Sequence, residues 1–103
     1  MRIYISGPIT KDPNYKSSFF KQSQELLLKN HEVINPAGLD ATMLGAFTWK
    51  EYMNICIELI NLADAVLMLD GWKDSSGACI EYGYALASDK IILQEDCSRG
   101  DLL

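Results

Sequence analysis

Residues Ala65 to Leu69 are five apolar residues in a row, followed directly by a polar loop, Asp70 to Ser76. A run that short and that uniformly apolar reads as a strand buried on both faces. Such strands belong to parallel sheets, whose neighbours are joined by helical crossovers. After Gly77 the chain turns helical, with Ile80, Tyr84 and Ala87 at the spacing of an inward face. Strand, loop and helix therefore follow one another. In an open parallel sheet, the carboxyl end of a strand is where ligands bind.

The rest of the chain repeats the alternation. Arg2 to Ser6 reads as a first strand, ended by Gly7-Pro8-Ile9-Thr10. A helix begins at Ser17 or Ser18 and ends near Asn30, with Phe19, Phe20, Ser23, Leu26 and Leu27 on its apolar face. Glu32 to Asn35 is a short second strand closed by Pro36. Trp49 to Leu62 is the strongest helix, with Tyr52, Ile55, Cys56, Leu59 and Leu62 or Ala63 on one side. Lys90 to Leu93 is a fourth strand. The pattern predicts an α/β protein: a Rossmann-like or flavodoxin-like three-layer sandwich with four parallel strands in the order 2-1-3-4. One domain is expected over residues 1–93, with 94–103 a polar tail. The crevice then opens between strands one and three.

Bulk properties narrow the partners. A net charge of -5 over 103 residues disfavours nucleic-acid polymers and anionic membrane surfaces. It leaves room for one small nucleotide held by backbone amides. No apolar run reaches the length of a membrane span. The start, MRIYISG, carries no secretory pattern. Cys56, Cys79 and Cys97 are odd in number and not spaced as metal ligands, so reduced thiols in the cytoplasm are expected, with Cys56 and Cys79 buried. No metal or cofactor is expected. A domain this small benefits from a homodimer or higher homo-oligomer, and the Tyr52 and Met53 side of the second helix offers apolar surface for one.

Several residues converge on the crevice, each with a plainer reading beside it. Gly7 directly after a strand lets a ligand approach the backbone, or is simply a turn. Pro8 and Ile9 line the same loop. Asn35 either bonds a base or sugar, or caps its own loop. Trp72 either stacks on a base or packs. Ser75, Ser76 and the Gly77 amide stand at a helix start, where backbone N–H groups favour an anion. Glu81 lies in the first turns of that helix and is the strongest chemical candidate; its plainer reading is a solvated helix carboxylate. A carboxylate beside an anion-ready loop makes sense if it works on the sugar attached to a phosphate. His31, the single histidine, receives no role.

Three blocks in order resemble the nucleoside 2-deoxyribosyltransferases and their relatives, the nucleoside 5′-monophosphate N-glycosidases, above all small members often found in phage genomes. They are Tyr4-Ile5-Ser6-Gly7-Pro8-Ile9, Val33-Ile34-Asn35-Pro36-Ala37, and Trp49 through Leu62-Ala63-Asp64 and Gly71-Trp72 to Ser75-x-Gly77-x-x-x-Glu81. The resemblance implies that Glu81 attacks the anomeric carbon, that Tyr4 sits beside it, and that Ser75 and Gly7 line the phosphate or sugar pocket. Where that family holds an aspartate, this chain has Cys56, a poor proton donor. Asp70 or Asp74 would then take over the acid role.

Two functions follow as expectations. One is cleavage or transfer at the N-glycosidic bond of (deoxy)nucleosides or their 5′-monophosphates, with Glu81, Tyr4 and Asp70 as catalytic residues. The other is a binding protein that captures a nucleotide or nucleotide signal without turnover. A second carboxylate facing Glu81 favours the first; Cys56 packed in the core favours the second.

Overall fold

The computed structural model describes residues 1–8, 15–38 and 47–95. Four strands, β1 (Arg2–Ser6), β2 (Glu32–Ile34), β3 (Ala65–Met68) and β4 (Ile91–Gln94), form one sheet in the order β2-β1-β3-β4. All three pairings are parallel. Tyr4 stands level with Ile34 on one side and Val66 on the other. The helices are α1 (Tyr15–Leu28), α2 (Trp49–Asn61) and α3 (Ser76–Ala87), with a 3-10 turn at Trp72–Asp74 leading into α3.

The two-residue period of a strand sorts the core into two clusters. Ile3, Ile5, Ala65 and Leu67 pack with Phe19 and Leu26 of α1. Tyr4, Val66 and Met68 pack on the other face with Cys56 and Ile60 of α2 and Ala78 and Ala85 of α3. α2 opens on a reciprocal cap: the Thr48 hydroxyl accepts from the Glu51 amide at 3.1 Å, and the Glu51 carboxylate accepts from the Thr48 amide at 2.8 Å. These bonds hold the exposed Glu51 carboxyl below its usual range.

Several expectations need correction. α1 begins at Tyr15, before the serines, and its buried side is Phe19, Gln22, Ser23 and Leu26, with Phe20 and Leu27 about half exposed. β4 runs one residue further than expected, through Gln94. Ile80 of α3 is 47 % exposed, and the buried residues of that helix are Ala78, Glu81 and Ala85. α3 is apolar on almost every side, so hydropathy spacing gave its orientation no direction. Of the Tyr52 and Met53 side, Met53 is buried and packs toward Gly77, while Tyr52 is half-buried. Cys79 is exposed, whereas Cys56 is buried as expected; Cys97 lies outside the described residues. No helix among the described residues is long and apolar enough to cross a membrane.

Candidate active site

β1 alternates, so Tyr4 and Ser6 project from the same face, toward α3. Glu81 stands on the second turn of α3 and points back at them. The Tyr4 hydroxyl donates to Glu81 Oε2 at 2.6 Å, and the Ser6 hydroxyl donates to Oε1 at 2.6 Å. Each carboxylate oxygen thus has its own donor. Glu81 is only 6 % exposed and Tyr4 is fully buried. The Cys56 thiol, from α2, interacts with both. Cys56 also interacts with Tyr52, whose hydroxyl donates to the Pro36 carbonyl at 3.3 Å, so the end of β2 is tied to the same cluster.

Burial and neutral donors oppose one another at Glu81. Loss of water raises its pKa; the bonds from Ser6, Tyr4 and Cys56 lower it; burial wins, and the carboxyl lies above its usual range. The same burial, reinforced by the neighbouring carboxylate, pushes the Tyr4 phenol well up. Burial likewise lifts the Cys56 thiol to about 11, so at neutral pH it is a neutral S–H group.

The other expected site residues divide. Ser75 caps α3: its side-chain oxygen accepts from the Ala78 amide at 3.2 Å, and it is buried. Ser76 follows as the first, exposed residue of α3. A Cβ on Gly77 would come within 3.2 Å of Met53 Sδ, so this glycine lets α2 and α3 approach. Gly7 directly follows β1, as Leu69 follows β3, and a Cβ on it would meet that of Leu69 at 2.9 Å. Its lack of a side chain therefore serves strand packing directly. Pro8 follows, half-buried, facing Gly71, whose φ of 84° is a left-handed conformation suited to glycine. Ile9 lies outside the described residues. The Asn35 side chain accepts from the Ala37 amide at 3.0 Å, the cap alternative.

Asp70 and Trp72 face another way. They line a cleft of about 450 Å³ with Lys73, Asp74, Gln94 and Glu95, on the β4 side of β3. The Trp72 ring stacks on Tyr82 at 4.6 Å between centroids, and its Nε1–H donates to Gln94 Oε1 at 3.2 Å. The Glu95 carboxylate accepts from the Asp70 amide and from Gln22. Among the described residues, the side chains that meet the Glu81 carboxylate are Tyr4, Ser6 and Cys56, and Asp70 and Asp74 are not among them.

Ser6 is the residue that sequence reading passed over. It lies in the Tyr-x-Ser pattern of a strand, and the period of two puts it beside Tyr4. That signal was present, but a serine before a glycine turn also reads as the strand's end.

Fold and site together define a four-stranded parallel α/β domain built around the buried Glu81 carboxylate. The sequence matches, over residues 1–94, the family described as a domain of unknown function, DUF4406, and the chain belongs to that family. None of the curated proteins compared with the chain matches it.

Proposed function

We propose that this chain makes or breaks the N-glycosidic bond of nucleosides or nucleoside 5′-monophosphates, with Glu81 as nucleophile. One observation carries the reading: a carboxylate is buried between α3 and β1 with each oxygen held by a hydroxyl. A buried ionisable group is expensive to keep when an apolar side chain would tie α3 to β1 as well. Perturbed carboxyls in such positions concentrate at functional sites. The resemblance to the deoxyribosyltransferases supplies the reaction class.

In the proposed reaction a Glu81 oxygen attacks C1′ and the base departs with the electron pair of the C–N bond. Water or a second base then displaces Glu81 from the glycosyl ester. Tyr4 and Ser6 hold the carboxylate in one orientation and lower the cost of its charge. The start of α3, at Ser75, Ser76 and Gly77, offers its amide end to a 5′-phosphate. Pro8, Gly7 and Asn35 border the sugar.

Cys56 favours a second reading, a protein that captures a nucleotide without turning it over. It is buried, neutral and seated where the resemblance places an aspartate. One experiment separates the two. The chain is incubated with ribo- and deoxynucleosides and their 5′-monophosphates, pyridinium nucleotides included. Free base that disappears in Glu81→Gln supports catalysis. A ligand-dependent rise in Tm without free base supports capture. Neither response to any member sinks both.

A further inference from the structure

The three groups that meet the Glu81 carboxylate among the described residues, the Tyr4 and Ser6 hydroxyls and the Cys56 thiol, are all neutral. Two consequences follow for a reaction at C1′. The first concerns the leaving group. A neutral base departs as an anion unless a proton reaches it as the C–N bond breaks, and that is the task of a general acid. With its thiol at about 11, Cys56 is too weak an acid near neutral pH, and burial pushes the Tyr4 phenol well above its ordinary value too. Asp70 and Asp74 line the cleft on the β4 side of β3. The second concerns the nucleophile. Among the described residues this deep carboxylate is bonded to neutral donors, and none of them supplies the counter-charge that would offset its burial. A positive ring placed beside it supplies that charge and favours the ionised form that attacks.

Both requirements are met by one kind of ligand. Resting on the N-glycosidic reading above, we infer that the preferred substrates are nucleosides or nucleotides whose base already carries a fixed positive charge, such as a pyridinium or an N7-alkylated purine. Their departure needs no acid. A Glu81 oxygen forms its bond to C1′, the C–N pair goes to the ring nitrogen, and the base leaves as a neutral molecule. Water then attacks C1′, the ester bond to Glu81 breaks, and one proton is released to solvent. Charge and atoms balance without another reactant. Cys56 in this site is then a fitting neutral neighbour, because it neither competes with the cation for Glu81 nor needs to give up its proton.

The test uses the wild-type chain at pH 7 with two substrates differing by one methyl group and one charge, 7-methylguanosine and guanosine. Nicotinamide riboside and thymidine form a second cationic and neutral pair. Release of base is followed by chromatography, and each rate is divided by that of the uncatalysed reaction, so that intrinsic leaving-group reactivity cancels. The expected result is an enhancement for each cationic substrate about 100-fold or more above that of its neutral counterpart, the size of effect a general acid ordinarily supplies. Equal enhancement in both members of each pair, abolished by Glu81→Gln, overturns the charge requirement and leaves the N-glycosidic reading standing. Both pairs are also run as their 5′-monophosphates, and cleavage of none of the eight overturns both.

Discussion

Tyr4 and Glu81 are 77 positions apart in sequence and are joined by a 2.6 Å hydrogen bond from the phenol to Oε2. The bond spans β1 and α3, with Ser6 providing its twin on the other oxygen. Two neutral donors make the carboxylate tolerable in the core without neutralising it. Its protonation therefore couples stability to pH, and its orientation is set before any ligand arrives.

Glu81→Gln separates these two properties. The amide keeps the shape and can still pair with both hydroxyls. In the wild type, the folded-state pKa of Glu81 lies above its ordinary value of 4.5. The folded state therefore binds more protons than the unfolded one between 4.5 and the raised value, so Glu81 costs stability progressively as pH rises through that window. Glu81→Gln is expected to melt higher than wild type at pH 7.5, with the difference closing as pH falls toward 4.5. On the proposed N-glycosidic reading, base release in the same protein should drop by about 1000-fold or more, as loss of the proposed nucleophile requires. Melting curves across pH, read beside the rates, check both halves; a variant less stable than wild type at pH 7.5 contradicts the first.

Tyr4→Phe and Ser6→Ala each leave one carboxylate oxygen without its donor. Each should cost about 1–3 kcal/mol, the penalty for an unsatisfied buried acceptor, and each should move the acid limb of the rate profile to higher pH. Among the described residues Tyr4, Ser6 and Cys56 face Glu81, so substitutions of Tyr4 and Ser6 should move it. Ser6→Thr restores the hydroxyl and should restore the limb. Urea denaturation and pH–rate curves decide; an unmoved limb in Ser6→Ala means that the serine only packs.

The strand order was legible in the sequence, whereas the meeting of Glu81 with Tyr4 was implied by the family resemblance alone. Apolar runs such as Ala65–Leu69 leave a strand little choice of environment. The orientation of α3 was not legible. Ile80, Tyr84 and Ala87 have the spacing of an inward face, yet Ala78, Glu81 and Ala85 point inward. Glu81, the helix's one charged residue, is the residue that hydropathy would place outside. It is inside because Tyr4 and Ser6 are there to receive it, and that is a tertiary fact. Asn35 and Ser75 illustrate the same limit: each can cap the backbone or bind a ligand, and local spacing does not distinguish the two.

Gly7 and Gly77 should respond differently to alanine. At Gly7 the new Cβ lands 2.9 Å from the Leu69 Cβ, a contact that moving a side chain cannot relieve. Gly7→Ala is expected to cost about 1–3 kcal/mol, and Leu69→Ala should not rescue it, since the offending atom remains. At Gly77 the neighbour is Met53 Sδ at 3.2 Å, the flexible part of a side chain, and alanine gains about 1 kcal/mol of helix propensity. Gly77→Ala should therefore be close to neutral. Urea midpoints of the two variants test the contrast, which fails if Gly77→Ala proves the more damaging.

The two described cysteines differ in reach as well as in chemistry. Cys79 is exposed on α3, and Cys56 is buried with its thiol at about 11. A maleimide at pH 7.5 should label Cys79 in the folded protein within minutes and leave Cys56 unlabelled until urea is added. Peptide mass mapping identifies the sites. Native labelling of Cys56 at the rate of Cys79 would mean that the Glu81 pocket opens freely to solvent.

Cys56→Asp returns an acid to the place where the resemblance expects one. Two carboxyls in one buried site cannot both ionise cheaply, so one takes up a proton and becomes a donor. The cost is stability, about 1–3 kcal/mol for a second polar group in the core. The gain is a proton for a departing neutral base, which should raise guanosine and thymidine cleavage by about 100-fold while changing 7-methylguanosine little. Cys56→Asn has nearly the same shape and polarity but no acidic proton, so it should share the loss of stability without the gain in rate. A rate increase in Cys56→Asn equal to that in Cys56→Asp would assign the effect to polarity, and the cation requirement would lose its chemical basis.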